Sequence, residues 1–230
     1  MVGIALGTLC CLIVLAWSRQ QEPTAKKFAE RVLVPTYVAF LVPVLAICYG
    51  ASAIGGERED RTLIYLLITP IPRPLVYLSK AFAAVGLVVG SSALMLTVMC
   101  LLGGAPGRGM LSVFLPASLL GAAAYASLFL LLGAIFRHGT IVALAYWFFL
   151  EVLFGNLPGI IKRVSVAFYV RSLIYEEGTA EELGPAGRVA REMFLAVSGG
   201  TALTVLELGT LGLLALGVCV FSVREYRDLS

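Results

Sequence analysis

The chain has 230 residues, 60% of them apolar and only 13% charged, with a mean hydropathy of +0.95, which is far from the composition of a soluble domain of this length. The apolar residues come in continuous runs long enough to cross a bilayer as helix, which takes about 20 residues, without the alternation a membrane β-barrel requires. A net charge of +3 is too small to argue for nucleic acid as a partner. Cys10, Cys11, Cys48, Cys100 and Cys219 all sit inside apolar runs, so neither a disulfide framework nor a redox pair is indicated. The single histidine, His138, has no cysteine or acid at ligand spacing beside it, which argues against a metal centre.

In chain order, the pattern predicts an all-α polytopic membrane protein with six transmembrane helices forming one transmembrane domain over residues 1–230. The first span covers about 2–17 and begins close to the initiator methionine; no positive residue precedes it and no small-x-small cleavage site follows, which argues against a secretory signal. Gly3 and Gly7 stand at the spacing that lets helices approach closely in lipid. A polar connector from Arg19 to Arg31 leads to a second span at about 32–54, where Pro35 lies near the start and Pro43, in the interior, is expected to kink the helix. An elbow over 56–80 follows, then a third span at 81–102 with Gly86 and Gly90 at close-packing spacing. The run Gly103 to Gly109 reads as a tight turn; it lacks the Gly-x-x-x-x-Gly-Lys-Ser/Thr pattern of a phosphate-binding loop, which occurs nowhere in the chain.

A fourth span covers 111–136, the turn Arg137-His138-Gly139 reverses the chain, and a fifth covers 140–155. Glu151 stands near the end of that fifth segment, where an ionised side chain at full depth would cost on the order of 3 kcal/mol. It therefore lies near the interface or is paired in a polar pathway or gate. Residues 156–200 form the longest non-spanning region. Within it, Ile160 to Tyr175 and Ala186 to Val197 mix apolar and basic residues in the manner of helices lying at a membrane interface, and Glu176, Glu177, Glu181 and Glu182 between them read as a solvated link. The last span covers 201–223, with Glu207 a few residues inside one end, and a charged tail closes the chain. Six spans put both termini on one side. The elbow, the Arg137 turn and the tail carry seven lysines and arginines against ten in the opposite loops, so charge bias leaves the orientation open.

The elbow is the one connector built as an element. A charge cluster, Glu57, Arg58, Glu59, Asp60 and Arg61, runs into Thr62-Leu63, and Leu63, Leu66 and Leu67 share a helical face. Glu57 stands one turn before Arg61 in the favourable order for an ion pair. Pro70 biases Thr69 away from helical geometry and should end the segment there, while Pro72 and Pro74 are expected to delay the next helix until Lys80 opens it.

Glu57, Thr62-Leu63, Leu66-Leu67, Thr69-Pro70, Arg73 and Lys80 together resemble the signature between the second and third spans of ABC transporter permeases of the type-2 exporter family. The span order, the long loop between spans five and six and the charged tail are similar to that family over nearly the whole chain. Two features depart from it: Arg61 occupies a position where the family usually has glycine, and the basic amphipathic segment usual before the first span is missing, which points to a shortened variant or to a start further upstream.

The resemblance implies a cytoplasmic amphipathic coupling helix, formed by Glu57, Arg58, Glu59, Asp60, Arg61, Thr62, Leu63, Leu66, Leu67, Thr69 and Pro70, that docks on a separate ABC ATPase subunit. It further implies a second permease chain forming one path with the first, no cofactor bound by this chain, ATP and Mg on the partner ATPase, a bacterial or archaeal cytoplasmic membrane, and both termini cytoplasmic. Glu151 and Glu207 are the intramembrane polar candidates.

Two other function classes fit less of the sequence. A non-transporting scaffold or regulatory subunit would share the fold. An intramembrane enzyme lacks its groups: Gly50-Ala51-Ser52-Ala53-Ile54 misses the final glycine of a nucleophile elbow, His138 has no serine beside it, and Glu176-Glu177 lies outside the spans.

Overall fold

The computed structural model describes residues 2–18, 25–60, 62, 71–153, 163–178 and 197–224. Among these, all regular structure is helical. Helix α1 is Val2–Ser18, and a single turn, Ala25–Phe28, leads into α2, Ala29–Glu59. Helix α3 is Arg73–Leu102 and α4 is Ala105–Ile135. Helix α5, Gly139–Tyr146, continues as a wide-wound stretch over Trp147–Leu153; α6 is Val166–Gly178 and α7 is Gly199–Val223. Four of these, α2, α3, α4 and α7, are long and apolar enough to cross a membrane, and α1 and α5 contain shorter apolar stretches, Gly7–Trp17 and Gly139–Glu151, where the sequence predicts spans one and five.

Local chemistry explains the boundaries. In α2 the winding is wide over Ala29–Leu41 and Ile47–Ala51, and the amide of Val42 donates five residues back to the carbonyl of Tyr37. Pro35 lies inside the first wide stretch and Pro43 in the first turn of the tight segment between them, Val42–Ala46. The missing amides of these prolines are thus absorbed by changes of winding within one continuous helix. Helix α3 begins at Arg73, eight residues before the apolar run, because Pro74 falls in the first turn, where no donor is needed, and Pro72 is the extended residue preceding it.

The turn expected over Gly103 to Gly109 shrinks to Gly103-Gly104. Gly104 takes φ 71°, open to a residue without Cβ, and α4 starts at once with Pro106 in its first turn. Gly107 already belongs to the helix: a Cβ there would stand 2.2 Å from the Cys100 carbonyl oxygen, so its absence lets α3 and α4 meet at their hairpin.

Helix α4 is the centre of the bundle. It is mostly buried and packs against α2, α3, α5, α6 and α7, whereas α3 and α7 are largely exposed. Its contact with α2 is backbone to backbone: a Cβ on Gly50 would meet the Ala126 carbonyl oxygen at 2.9 Å, and one on Gly133 the Ala51 carbonyl oxygen at 2.6 Å. Helix α1 lies on α3, with Gly7 against Met95, and the Trp17 ring packs tilted on Phe28, centroids 4.9 Å apart. The main core draws on every helix, most heavily α2 and α4; a second cluster, Ile54, Val76, Tyr77, Ala81, Ala84, Leu130, Ala134 and Phe221, joins α2, α3, α4 and α7 at one end. The outer faces of α3 and α7 expose Phe82, Leu87, Leu94, Leu208, Leu211 and Leu216, surfaces suited to lipid or to another transmembrane chain.

The amphipathic segment expected to lie at an interface over Ile160 to Tyr175 is placed differently. Its helical part, α6, buries Ala167, Phe168, Val170, Leu173 and Ile174 against α4, α7 and the start of α2. An apolar stripe has the same spacing whether it meets lipid headgroups or a neighbouring helix, so periodicity alone does not separate the two. The second expected amphipathic helix, Ala186 to Val197, lies outside the described residues except for Val197, which is not helical.

Candidate functional site

The elbow joins α2 to α3, and the described residues on both sides of it are continuations of those helices. Glu57, Arg58 and Glu59 form the last turn of α2. Asp60 ends it, its amide donating to the Gly56 carbonyl at 2.9 Å, and the Thr62 amide and hydroxyl both donate to the Glu57 carbonyl, at 2.9 and 3.3 Å. These bonds satisfy carbonyls that a helix end leaves without partners. Arg61, Leu63, Leu66, Leu67, Thr69 and Pro70 lie outside the described residues.

Several charges at this end of the bundle have partners within the chain. Lys80, two turns into α3, is ion-paired with Glu57, closing the base of the elbow. Arg58 is buried, 5% exposed, and its Nη1 donates to the carbonyls of Ala134 at 3.3 Å and Phe136 at 2.9 Å. Arg224, just past α7, donates to the carbonyls of Ala134 at 3.5 Å and of Ile135, while its own carbonyl accepts from Arg73 at 3.3 Å. His138 Nδ1 stands 3.6 Å from Glu59 Oε1 in an exposed contact. Asp60 and Thr62 are exposed.

Two guanidinium groups therefore meet the C-terminus of α4, where unpaired carbonyls and the helix dipole favour cations. A buried arginine without such partners would carry a heavy desolvation cost; here the carbonyls offset it. The arrangement also places the elbow, the Arg137 turn and the end of α7 at the same end of the bundle, as alternating spans require.

The sequence model of the family described as ABC-2 family transporter protein matches residues 9–225, nearly the whole chain. The chain belongs to this ABC-2 family of transporter permeases. No curated protein matches it. As an ABC-2 permease the chain is an integral membrane subunit of an ABC transporter and a transport subunit, not itself catalytic, and the family implies an ABC ATPase as partner.

The intramembrane polar candidates of this permease part ways. Glu151 is buried, 6% exposed, and acts as a helix cap: its Oε2 accepts from the Ser165 hydroxyl at 2.5 Å and its Oε1 from the Val166 amide at 2.9 Å, at the start of α6, while Ser165 Oγ accepts from the Phe168 amide at 3.2 Å. The Tyr125 hydroxyl lies beside the same carboxylate. Glu151 is thus a buried, paired carboxylate that fixes the start of α6 to the wide-wound stretch after α5.

Glu207 is exposed on the outer side of α7 and makes no hydrogen bond or ion pair among the described residues. Glu176 departs from the solvated link expected of its patch. It accepts a hydrogen bond from the Gly199 amide and so caps α7 across 23 residues of sequence. Among the described residues no group of three His, Cys, Asp or Glu side chains stands together as a metal site.

Sequence reasoning missed the roles of Arg58 and Arg224. Their charge was visible, but their partners are backbone carbonyls, which carry no residue-type signal.

Proposed function

We propose that this permease is the membrane half of an ATP-driven exporter, with the Gly56 to Lys80 elbow on the cytoplasmic side as the surface that meets the ATPase. Six spans, formed by the four long helices together with α1 and α5, place both termini on that side. Two copies of the chain make one translocation path, and ATP with Mg is bound by the ATPase. The membrane is the cytoplasmic membrane of a bacterium or archaeon.

The observation that carries this reading is the pinned base of the elbow. Glu57 and Lys80 tie its two ends together and Arg58 turns inward onto α4, which leaves Glu59, Asp60 and Thr62 as the exposed described residues of the proposed coupling set. A segment held at its base and charged at its outer edge suits a docking element that transmits movement. Within the proposed coupling set, Glu57 and Arg58 serve the permease side of the joint. Glu59, Asp60 and Thr62, with Arg61, Leu63, Leu66, Leu67, Thr69 and Pro70, serve the ATPase side.

Co-expression with the cognate ATPase tests the reading. A stable complex should form, and the double charge reversal Glu59→Lys, Asp60→Lys should weaken it at least tenfold while leaving the permease folded. An undiminished complex would refute the docking surface.

A further inference from the structure

The contacts at the elbow end form a closed circuit. Arg58 joins α2 to the last carbonyls of α4. Arg224 joins α7 to the same carbonyl segment. Arg73 joins α3 to the Arg224 carbonyl, and Lys80 joins α3 back to Glu57 on α2. The four helices linked in this order also supply every residue of the apolar cluster at that end, from Ile54 of α2 through Tyr77 of α3 and Leu130 of α4 to Phe221 of α7. Two polar contacts in the circuit, those of Arg58 and Arg224, converge on three consecutive carbonyls, Ala134 to Phe136.

We propose that Arg58 and Arg224 are positioning residues of transport: they lock the C-terminus of α4 to the ends of α2 and α7, so that displacement of the elbow moves α2, α3, α4 and α7 as one body. The backbone contact of Gly133 with Ala51 and Gly55 makes α2 and α4 a rigid pair in the direction of compression. Steric contact resists pushing but not separation. The arginines supply the resistance to separation, because each guanidinium has planar, directed donors and cannot leave its carbonyls without giving up these bonds, of which the buried one from Arg58 to Ala134 would leave its acceptor unpaired. Arg224 adds a directed polar hold to α7, whose outward surface is mostly exposed and whose inner face packs on α4, α6 and α3. The elbow thus acts beyond its own two spans.

This inference rests on the proposed coupling to an ATPase, and its test separates the two. The permease–ATPase complex is reconstituted in lipid nanodiscs, and amide exchange is followed by mass spectrometry with and without a non-hydrolysable ATP analogue and Mg. In the wild type, nucleotide should change exchange both at the elbow and at residues 132–138. In Arg58→Gln, Arg224→Gln the elbow should still respond while the change at 132–138 falls at least threefold. Arg58→Lys, which keeps the charge but loses the planar, directed Nη1 donors on their longer arm, should show the same separation of responses. Arg224→Gln alone, which leaves the buried Arg58 in place, should uncouple residues 217–223 and guards against a folding defect in the double variant. An undiminished response at 132–138 and 217–223 in these variants overturns the inference and leaves the docking proposal standing. A wild-type complex in which nucleotide changes nothing at the elbow overturns both.

Discussion

Replacing Gly133 with alanine probes the closest contact in the bundle. The added Cβ would stand 2.6 Å from the Ala51 carbonyl oxygen and 3.2 Å from the Gly55 amide, where ordinary contact begins at 3.4 Å. Neither neighbour is a flexible side chain, so α2 and α4 must separate by most of an ångström. Overpacking of this kind costs about 1–3 kcal/mol. Glycine to alanine within a helix also brings a favourable term of up to about 1 kcal/mol, which would mask part of the loss.

The comparison is therefore made with Gly90→Ala on α3 and Gly209→Ala on α7, where an added Cβ meets nothing within 4 Å and only the favourable term applies. Reversible unfolding in mixed micelles should place Gly133→Ala about 1–3 kcal/mol below both controls. The same variant should weaken the Arg58 contacts, since Ala134 and Phe136 lie beside the displaced residue. Equal stability of all three variants would refute the close approach of α2 to α4.

Other substitutions test the caps and the hairpin. Glu151→Ala removes both acceptors at the start of α6 and should cost about 1–2 kcal/mol in the same unfolding assay, with Glu151→Gln losing less because an amide oxygen can still accept; no loss in Glu151→Ala would contradict the cap. Gly104→Ala forces a side chain into the left-handed region at φ 71° and should cost about 1 kcal/mol despite the open space around it. A neutral or stabilising Gly104→Ala would mean that the α3–α4 hairpin turns in another way.

Much of the architecture follows from hydropathy. The runs ending near Trp17, Ile54, Leu102, Phe136 and Val223 each correspond to a helix, because a lipid-facing helix must be apolar over a length set by the bilayer. Boundaries were less legible. Pro74 reads as a breaker in isolation yet stands in the first turn of α3, since a proline disrupts a helix only where its missing amide is needed. Gly107 belongs to a glycine-rich run that suggests a turn, while its actual role, admitting Cys100 at close range, depends on a partner strand of chain the pattern does not name.

The candidate site divides in the same way. Charge and placement marked Glu57 to Asp60, but the inward turn of Arg58 could not be inferred, because its acceptors at Ala134 and Phe136 are main-chain atoms more than seventy residues away. Glu151 and Glu176 were visible as acids and hidden as caps for the same reason: each pairs with a backbone amide brought close only by the tertiary fold.

The most direct measurement of the central claim is site-specific photocrosslinking of the permease in native membranes that also contain its ATPase. A photoreactive residue at Asp60 or Thr62 should capture the ATPase, and one at Arg108 or Ser112, toward the opposite end of α4, should not. Capture from Arg108 or Ser112 with none from Asp60 or Thr62 would reverse the orientation and contradict the assignment of the elbow as the coupling surface.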